Sequence, residues 1–129
     1  MTKKTIITAP KAPKALGPYS VANQFGSFVF LAGQLGLDPA TGDLVPGGVE
    51  AETRQSLTNL RNVLEAAGSS LEQVVKTTVF LRDMNDFARM NTIYGEFFVS
   101  DFPARSTVQI AALPKGGAVE IELIAYLES

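Results

Sequence analysis

The chain has 129 residues, of which 46% are hydrophobic and 19% charged, and its formal net charge at pH 7 is −2. This composition is typical of one folded domain spanning residues 1–129 and excludes a disordered chain. The sequence contains no cysteine and no histidine, which excludes disulfide bonds, a cysteine–histidine dyad and a serine–histidine–aspartate triad, and deprives a zinc site of its usual ligands.

The distribution of charge and hydropathy also argues against two classes of partner. No run of apolar residues approaches the length that spans a membrane. The lysines cluster only near the N-terminus, and the chain is slightly acidic, whereas proteins that bind nucleic acid usually present a basic face. No secretion signal is evident, so we expect a cytoplasmic protein without a membrane or nucleic-acid partner.

The first third of the chain is predicted to form strands and turns. Residues 5–8 predict a short strand. Residues 19–25 and 28–37 predict a hairpin around the turn at Gly26-Ser27, and residues 38–42 predict a second turn with proline and glycine at favoured positions.

Residues 50–67 have the period of an amphipathic helix that ends at Gly68, a typical C-terminal cap. The apolar positions predicted to share one face are Leu57, Leu60, Leu64 and Ala67. The polar positions predicted to lie largely off that face are Glu52, Arg54, Asn59 and Arg61.

The middle of the chain predicts a short turn, a strand and a second helix. Ser70 to Gln73 resembles a capping box. Residues 74–81 form a β-branched, nearly continuous apolar run, which predicts a strand buried on both faces. Asn85 is a candidate N-cap for a helix over residues 86–99. The apolar stripe of this helix is interpreted as core and comprises Phe87, Met90, Tyr94 and Phe97.

The last part predicts strands over residues 105–112 and 118–127, joined by a turn at residues 114–117. The element order β-β-β-α-β-α-β-β predicts an α+β fold with two helices on one face of a sheet. The other face would remain apolar and uncovered, so we expect a symmetric homo-oligomer.

Arg105 lies in a predicted strand, and its position there raises the question of which group its charge interacts with. Together with Glu120 and Glu122 it is predicted to occupy polar-facing positions of neighbouring strands. An ordinary cross-strand ion pair is one interpretation. However, a hairpin that turns near residues 115–116 would separate Arg105 from Glu120 by roughly 20 Å along the strands. Either the register is shifted, or the two residues serve different places, or a second chain supplies one of them.

Two further motifs interrupt regular structure. Gly17-Pro18-Tyr19-Ser20 fixes the backbone and could present the Tyr19 phenol at a defined position, although a turn with a half-buried tyrosine explains it equally well. Ala32-Gly33-Gln34 places a glycine inside an apolar strand, which indicates a bulge or a backbone that a ligand approaches closely. Asn91, in the second helix, is compatible with an ordinary surface position.

Taken together, these motifs resemble the reactive intermediate deaminase family, also called Rid or YjgF, over essentially the whole chain. The strongest match is Pro103-Ala104-Arg105-Ser106, followed by Leu113-Pro114 and Val119-Glu120-Ile121. The supporting matches include Gly17-Pro18-Tyr19-Ser20, Gly33-Gln34, residues 66–68, 75–79 and 84–88, and Asn91. The resemblance implies a bacillary chorismate-mutase-like fold with a mixed sheet, assembled as a homotrimer with active sites in the clefts between subunits.

The resemblance also implies an activity, the hydrolysis of 2-imino acids to 2-keto acids and ammonia. The imines arise from enamines released by pyridoxal-phosphate-dependent dehydratases. Arg105 would bind the substrate carboxylate, and Glu120 with the backbone carbonyl of Thr107 would hold the attacking water. The pocket would be lined by Tyr19, Ala32, Gly33 and Asn91. No metal, cofactor or covalent nucleophile is expected.

This sequence departs from the family pattern at two of those positions. Many members carry serine at the position of Ala32 and cysteine at the position of Thr107. A non-catalytic trimer that binds or senses a 2-keto acid remains an alternative, since Arg105 would explain that equally well. A ribonuclease, an activity attributed to some relatives, is a further alternative that the acidic charge and the missing histidine argue against, and a chaperone would need exposed apolar surface.

Overall fold

The computed structural model describes residues 3–128 and consists of a six-stranded mixed sheet with two helices packed on one face. The strands run in the order β1-β2-β3-β6-β4-β5. Their bounds are β1 Thr5–Ile7, β2 Ala22–Phe25, β3 Phe28–Leu35, β4 Val74–Leu81, β5 Ala104–Gln109 and β6 Val119–Tyr126, and the helices are α1 Gly48–Ala67 and α2 Phe87–Phe97. The predicted α+β class and element order are confirmed.

The predicted hairpin is formed by β2 and β3, with Phe25 paired to Phe28 across a turn in which Gly26 has φ 61°. The first strand of this hairpin is shorter than predicted. Residues 19–21 are irregular: Tyr19 N donates to Gly17 O at 2.8 Å, and only the Val21 carbonyl, which accepts from Ala32 N at 2.9 Å, still bonds to β3. The register of β3 against β6 shifts between Leu31 and Gln34, which agrees with the bulge that was one of the two interpretations of Gly33.

Helix α1 buries Leu57, Leu60 and Leu64 completely against the sheet and ends at Gly68, whose φ of 85° suits a residue without a Cβ. The prediction that Glu52 and Asn59 lie off the buried side is wrong, since they are 7% and 0% exposed. A second side of the helix packs on the end of β3 and on the chain before β6, where backbone polar groups need partners.

Two predicted caps are also wrong. The Ser70 hydroxyl caps no backbone N–H and bonds instead to Gln73 Oε1 at 3.1 Å, although the short turn itself is present. Before α2 the capping side chain belongs to Asp83, whose carboxylate accepts from Asn85 N at 2.9 Å. A 3₁₀ turn over Met84–Asp86 follows, so the helix begins at Phe87.

The apolar stripe of α2 is only partly core. Met90 and Tyr94 are buried, whereas Phe87 is 38% exposed and Phe97 is half-buried. Phe98 follows the end of the helix and is buried, with its ring 4.7 Å from the Tyr94 ring. Phe87 is therefore available for a role other than core packing.

Strand β4 is the central element that links the two halves of the sheet. It pairs in parallel with β5, through the α2 crossover, and antiparallel with β6. The side facing the helices is buried, including Thr77, Val79 and Leu81. The prediction that both faces are buried does not hold within one chain, because Lys76, Thr78 and Phe80 on the other face are only half-buried.

The predicted hairpin between the last two strands does not form. Strand β6 lies between β3 and β4, and β5 is an edge strand whose one partner within residues 3–128 is β4. The alternating pattern of β6 buries Val119, Ile121 and Leu123 and suits the middle of the sheet, whereas the polar sequence of β5 suits an edge. The separation of Arg105 from Glu120 that was estimated from a simple hairpin therefore does not apply to this sheet.

The sheet face away from the helices is open in the single chain. Four large apolar residues on this face each keep more than two fifths of their surface exposed to solvent, namely Phe25, Phe28, Phe30 and Val108. A contiguous apolar surface of this kind is typical of an interface. Within residues 3–128, no helix combines the length and the apolar character needed to cross a membrane.

Candidate active site

The first group of candidate residues lies on the helix side of the edge strand β5. The parallel register places Arg105 beside Thr77 of β4. Its guanidinium carbon lies 4.7 Å from the centre of the Tyr94 ring and 5.6 Å from that of Phe87. No carboxylate within residues 3–128 forms a salt bridge with it. Two aromatic faces thus orient the cation and leave its charge available for an anionic ligand.

Tyr94 joins this arginine to the core. Its hydroxyl lies 2.8 Å from Thr77 Oγ1, and both side chains are buried. Burial raises the pKa of Tyr94, and the hydrogen bond with Thr77 and the charge of Arg105 oppose that rise. The phenol therefore remains neutral at physiological pH, and its ring presents a rigid face to Arg105. The sequence assigned Tyr94 and Phe87 only to a core stripe, and their helical spacing gave no signal that they hold a cation.

Two polar side chains in this part of the molecule lack hydrogen-bond partners within the described residues. Thr107 follows Arg105 at the next position on the same side of β5, and its Oγ1 is buried. Asn91 Oδ1, on α2, is also buried. Buried polar atoms usually have partners, so each such atom indicates a water, a ligand or another chain.

The second group lies on the opposite face of the sheet, around a cavity of about 570 Å³. Four residues that the sequence singled out line it, and they are Tyr19, Ala32, Gly33 and Glu120. The rest of the wall includes Lys14, Leu16, Gln34, Leu35, Leu37, Pro114 and Glu122. The structure thus brings together four of the seven candidate residues, but Arg105, Thr107 and Asn91 are not among them.

Gly33 is required by a close approach to Glu120. A Cβ at this position would lie 2.8 Å from Glu120 Cδ and 3.0 Å from its Cγ. The bulge between Leu31 and Gln34 turns the backbone toward the glutamate at this point. The sequence indicated a bulge or a close approach at this glycine, and the group that approaches it is the carboxylate of the same chain.

Tyr19 is held at the cavity mouth by its own turn. Its hydroxyl oxygen accepts a hydrogen bond from Leu16 N at 3.0 Å, while its backbone N–H donates to Gly17 O. Because the oxygen acts as acceptor in this bond, the phenolic hydrogen remains available to donate to a bound molecule. The Gly-Pro-Tyr motif therefore presents the phenol at a defined position.

Glu120 is electrostatically the most unusual carboxylate of the cavity. Burial raises its pKa, and the neighbouring charge of Glu122 raises it further. A carboxyl group in this environment keeps its proton to a higher pH than an ordinary glutamate, which suits it to act as a proton donor. Within residues 3–128, no three acidic side chains are arranged to hold a metal ion.

The two groups are far apart in one chain. Arg105 pairs with Thr77 and Glu120 with Phe80, three residues further along β4, so the two levels differ by about 10 Å. Strands β5 and β6 are also two strand spacings apart, about 10 Å, which gives a separation of about 14 Å between backbones. Arg105 faces the helices and Glu120 the open side, so the prediction that both occupy the polar-facing positions of neighbouring strands is wrong.

Comparison with known proteins gives a consistent set of similarities. The model of the family described as Endoribonuclease L-PSP matches residues 9–127. A 2-iminobutanoate/2-iminopropanoate deaminase from Bos taurus is 54% identical over 122 residues, which cover 95% of this chain and 89% of that protein.

Solved structures are similar over nearly the whole chain. The crystal structure of RidA from an Antarctic Psychrobacter has a TM-score of 0.92 at 46% identity, covering 95% of this chain and 99% of that one. The crystal structure of TdcF from E. coli with bound serine has a TM-score of 0.91 at 42% identity, covering 96% and 99%. The similarity therefore extends to the elements that carry both groups of candidate residues.

Proposed function

The chain belongs to the Endoribonuclease L-PSP family, which is the YjgF/Rid family, and we propose that it is a 2-iminobutanoate/2-iminopropanoate deaminase. The reaction converts a 2-imino acid and water to a 2-keto acid and ammonia. The observation that carries this proposal is the guanidinium of Arg105, which two aromatic rings orient and which forms no salt bridge within residues 3–128. A guanidinium binds a carboxylate through two parallel hydrogen bonds, which fixes both the position and the plane of a 2-imino acid.

The protein acts in this proposal as a homotrimer with the chorismate-mutase-like architecture implied by the family resemblance. Arg105 of one protomer and Glu120 of its neighbour then face one small substrate. Two observations support this assembly. The separation of about 14 Å on opposite faces prevents both groups from contacting one small molecule within a single chain. The exposed phenylalanines of the open sheet face provide an apolar surface for a neighbouring protomer to cover.

In the chemical step, Glu120 acts as acid and base. Protonated Glu120 donates to the imine nitrogen, which makes the C=N carbon more electrophilic. The resulting carboxylate then accepts a proton from water as the water oxygen bonds to that carbon. Collapse of the tetrahedral carbinolamine forms the keto C=O bond, breaks the C–N bond and releases ammonia with a proton returned through Glu120. Burial and the neighbouring Glu122 raise the pKa of Glu120, which favours its role as the proton donor of this cycle.

The remaining candidate residues position the reactants. The backbone carbonyl of Thr107 accepts a hydrogen bond from the attacking water, and Asn91 supplies a polar group near the carboxylate site. Tyr19 donates its free phenolic hydrogen to the substrate. Gly33 leaves room for the Glu120 carboxylate, and Ala32 contributes a methyl group without a hydrogen bond.

The proposal is tested by following keto-acid formation from dehydratase-generated 2-iminobutanoate with the wild type, Arg105→Ala and Arg105→Lys. We expect acceleration by the wild type, loss of nearly all activity in Arg105→Ala and a large loss in Arg105→Lys, because lysine keeps the charge but lacks the planar fork. Scattering and circular dichroism serve as controls for assembly and folding. Full activity of a folded Arg105→Ala would contradict the proposal.

The same preparations distinguish two other functions. Calorimetric binding of 2-oxobutanoate without any turnover of the imine would favour a non-catalytic sensor. RNA cleavage that copurifies with the wild type and is lost in Arg105→Ala would favour a nuclease. The cavity carries Glu120 and Glu122 beside the single cation of Lys14, which disfavours a phosphate backbone there.

A further inference from the structure

Helix α1 carries a row of buried polar residues, Glu52, Ser56 and Asn59, which we call the polar seam. They are 7%, 0% and 0% exposed and recur at a spacing of four and then three residues, so they lie on one side of the helix. Burying a polar side chain costs free energy unless it finds hydrogen-bond partners, and an apolar residue would fill the same space without that cost. The partners of the seam therefore indicate its role.

Two members of the seam bind the backbone at the end of β3. Ser56 Oγ donates to Gln34 O at 2.7 Å. Asn59 Nδ2 donates to Leu37 O at 2.9 Å and, more weakly, to Leu35 O at 3.3 Å. These carbonyls follow the bulge, where regular pairing with β6 is interrupted. The seam thus fixes the segment that carries the cavity wall from Gln34 to Leu37.

Glu52 binds the chain that leads into β6. Its Oε1 accepts a hydrogen bond from Ala118 N at 2.8 Å in the buried interior. The carbonyl of Ala118 accepts from Arg82 N at 3.0 Å, so both backbone groups of this residue are fixed. On the helix side, a Cβ on Gly36 would lie 2.6 Å from Glu52 Cα, which places the end of β3 in direct contact with the helix backbone.

These contacts converge on one place. Ala118 lies two residues before Glu120, and Leu35 pairs with Glu120 across the two strands. We propose that Glu52 is a positioning residue. Its hydrogen bond with Ala118 fixes the position of β6 along β3, and this holds the Glu120 carboxylate against Gly33. This inference rests on the proposed function, since it assigns Glu52 to the same reaction without contact to substrate.

The test compares Glu52→Ala, Glu52→Gln and Val63→Ala. Glutamine retains an oxygen acceptor for Ala118 N, so it is the conservative rescue variant. Val63 is fully buried in the same helix and belongs to the apolar core, so Val63→Ala is a matched control for loss of packing without loss of the seam.

The first readout is steady-state kinetics on dehydratase-generated 2-iminobutanoate. We expect Glu52→Ala to lower kcat by roughly 10- to 100-fold, because small displacements of a catalytic group have effects of this size, while KM changes less than about 3-fold. Glu52→Gln and Val63→Ala should each keep kcat within about 3-fold of the wild type. An equal loss of kcat in Val63→Ala would mean that general destabilisation explains the result and would overturn the inference.

The second readout is the titration of Glu120 followed by ¹³C NMR of labelled carboxyl groups, which needs no turnover. The charged groups that share the cavity with Glu120 are Glu122 on the same strand and Lys14 on the N-terminal loop, and both are unchanged in all three variants. We expect the pKa of Glu120 to move toward its ordinary value only in Glu52→Ala, because a displaced carboxyl group gains solvent.

The two readouts separate the inference from the proposed function. If the wild type hydrolyses no imine but the Glu120 titration shifts in Glu52→Ala alone, the proposed function fails and the positioning role stands. If the wild type is active and Glu52→Ala keeps its kcat and the Glu120 titration, the positioning role is refuted and the proposed function stands.

Discussion

Mixing two inactive variants tests whether the two groups of residues meet only between protomers. Arg105→Ala removes the cation of one group, and Glu120→Gln removes the proton donor of the other. Truncating one partner of a buried charge pair costs about 2–5 kcal/mol, so Arg105→Ala should retain less than about 3% of wild-type kcat/KM. Glu120→Gln retains shape but cannot exchange a proton, and we expect a loss of at least about 100-fold.

The proposed trimer with shared sites predicts how much activity mixing restores. The two residues lie about 14 Å apart on opposite faces of one sheet, so in the proposed trimer each site takes one of them from each of two protomers. In randomly mixed trimers, a site that takes Arg105 from a Glu120→Gln protomer and Glu120 from an Arg105→Ala protomer is intact. With equal amounts of the two variants, about a quarter of all sites meet this condition.

The assay unfolds, mixes and refolds the two variants in equal amounts and measures keto-acid formation. Native mass spectrometry verifies that mixed trimers form, and each variant refolded alone serves as the baseline. Recovery to about a quarter of wild-type activity is expected. Activity no higher than the mean of the two baselines, in verified mixed trimers, would refute the shared site.

Three further predictions concern single positions. Gly33→Ala should lower kcat by roughly 10- to 100-fold with little change in the urea midpoint, because the new Cβ would lie 2.8 Å from Glu120 Cδ and displace the carboxyl group. An unchanged kcat in this variant would contradict the prediction. Tyr94→Phe should lower the free energy of unfolding by about 1–3 kcal/mol in urea titrations, because it leaves the Thr77 hydroxyl buried without its partner; a stability equal to that of the wild type would contradict this. The pKa of Glu120 is raised in the folded state, so as pH rises the unfolded chain loses this proton first, and the contribution of Glu120 to stability falls between its ordinary and its raised pKa. Glu120→Gln should therefore remove this part of the pH dependence of the free energy of unfolding in urea titrations. Identical pH profiles of the variant and the wild type would refute this prediction.

Local signals in the sequence were sufficient for most elements. The period of Leu57, Leu60 and Leu64 identified helix α1 and its buried side, because residues three and four apart share one side of a helix. Gly26 and Gly68 marked a turn and a helix end, because both need positive φ. The caps at Ser70 and Asn85 failed, because the Ser70 hydroxyl bonds to the Gln73 side chain and the Asp83 carboxylate takes the capping position before α2.

The polar seam shows where periodicity misleads. Glu52 and Asn59 were placed outside the buried side because they are polar, and that inference assumes that every buried surface is apolar. The end of β3 and the chain before β6 present unpaired backbone groups to the helix instead. A polar side chain is the better neighbour for such groups, and only the tertiary arrangement reveals where they are.

The sequence by itself determined the α+β class and the order of the elements, because propensity, period and turn chemistry act between near neighbours. The tertiary structure decided that β6 enters between β3 and β4, and that Arg105 and Glu120 therefore lie on opposite faces. Strand pairing is settled by burial and crossover geometry between distant segments, which a local pattern does not encode.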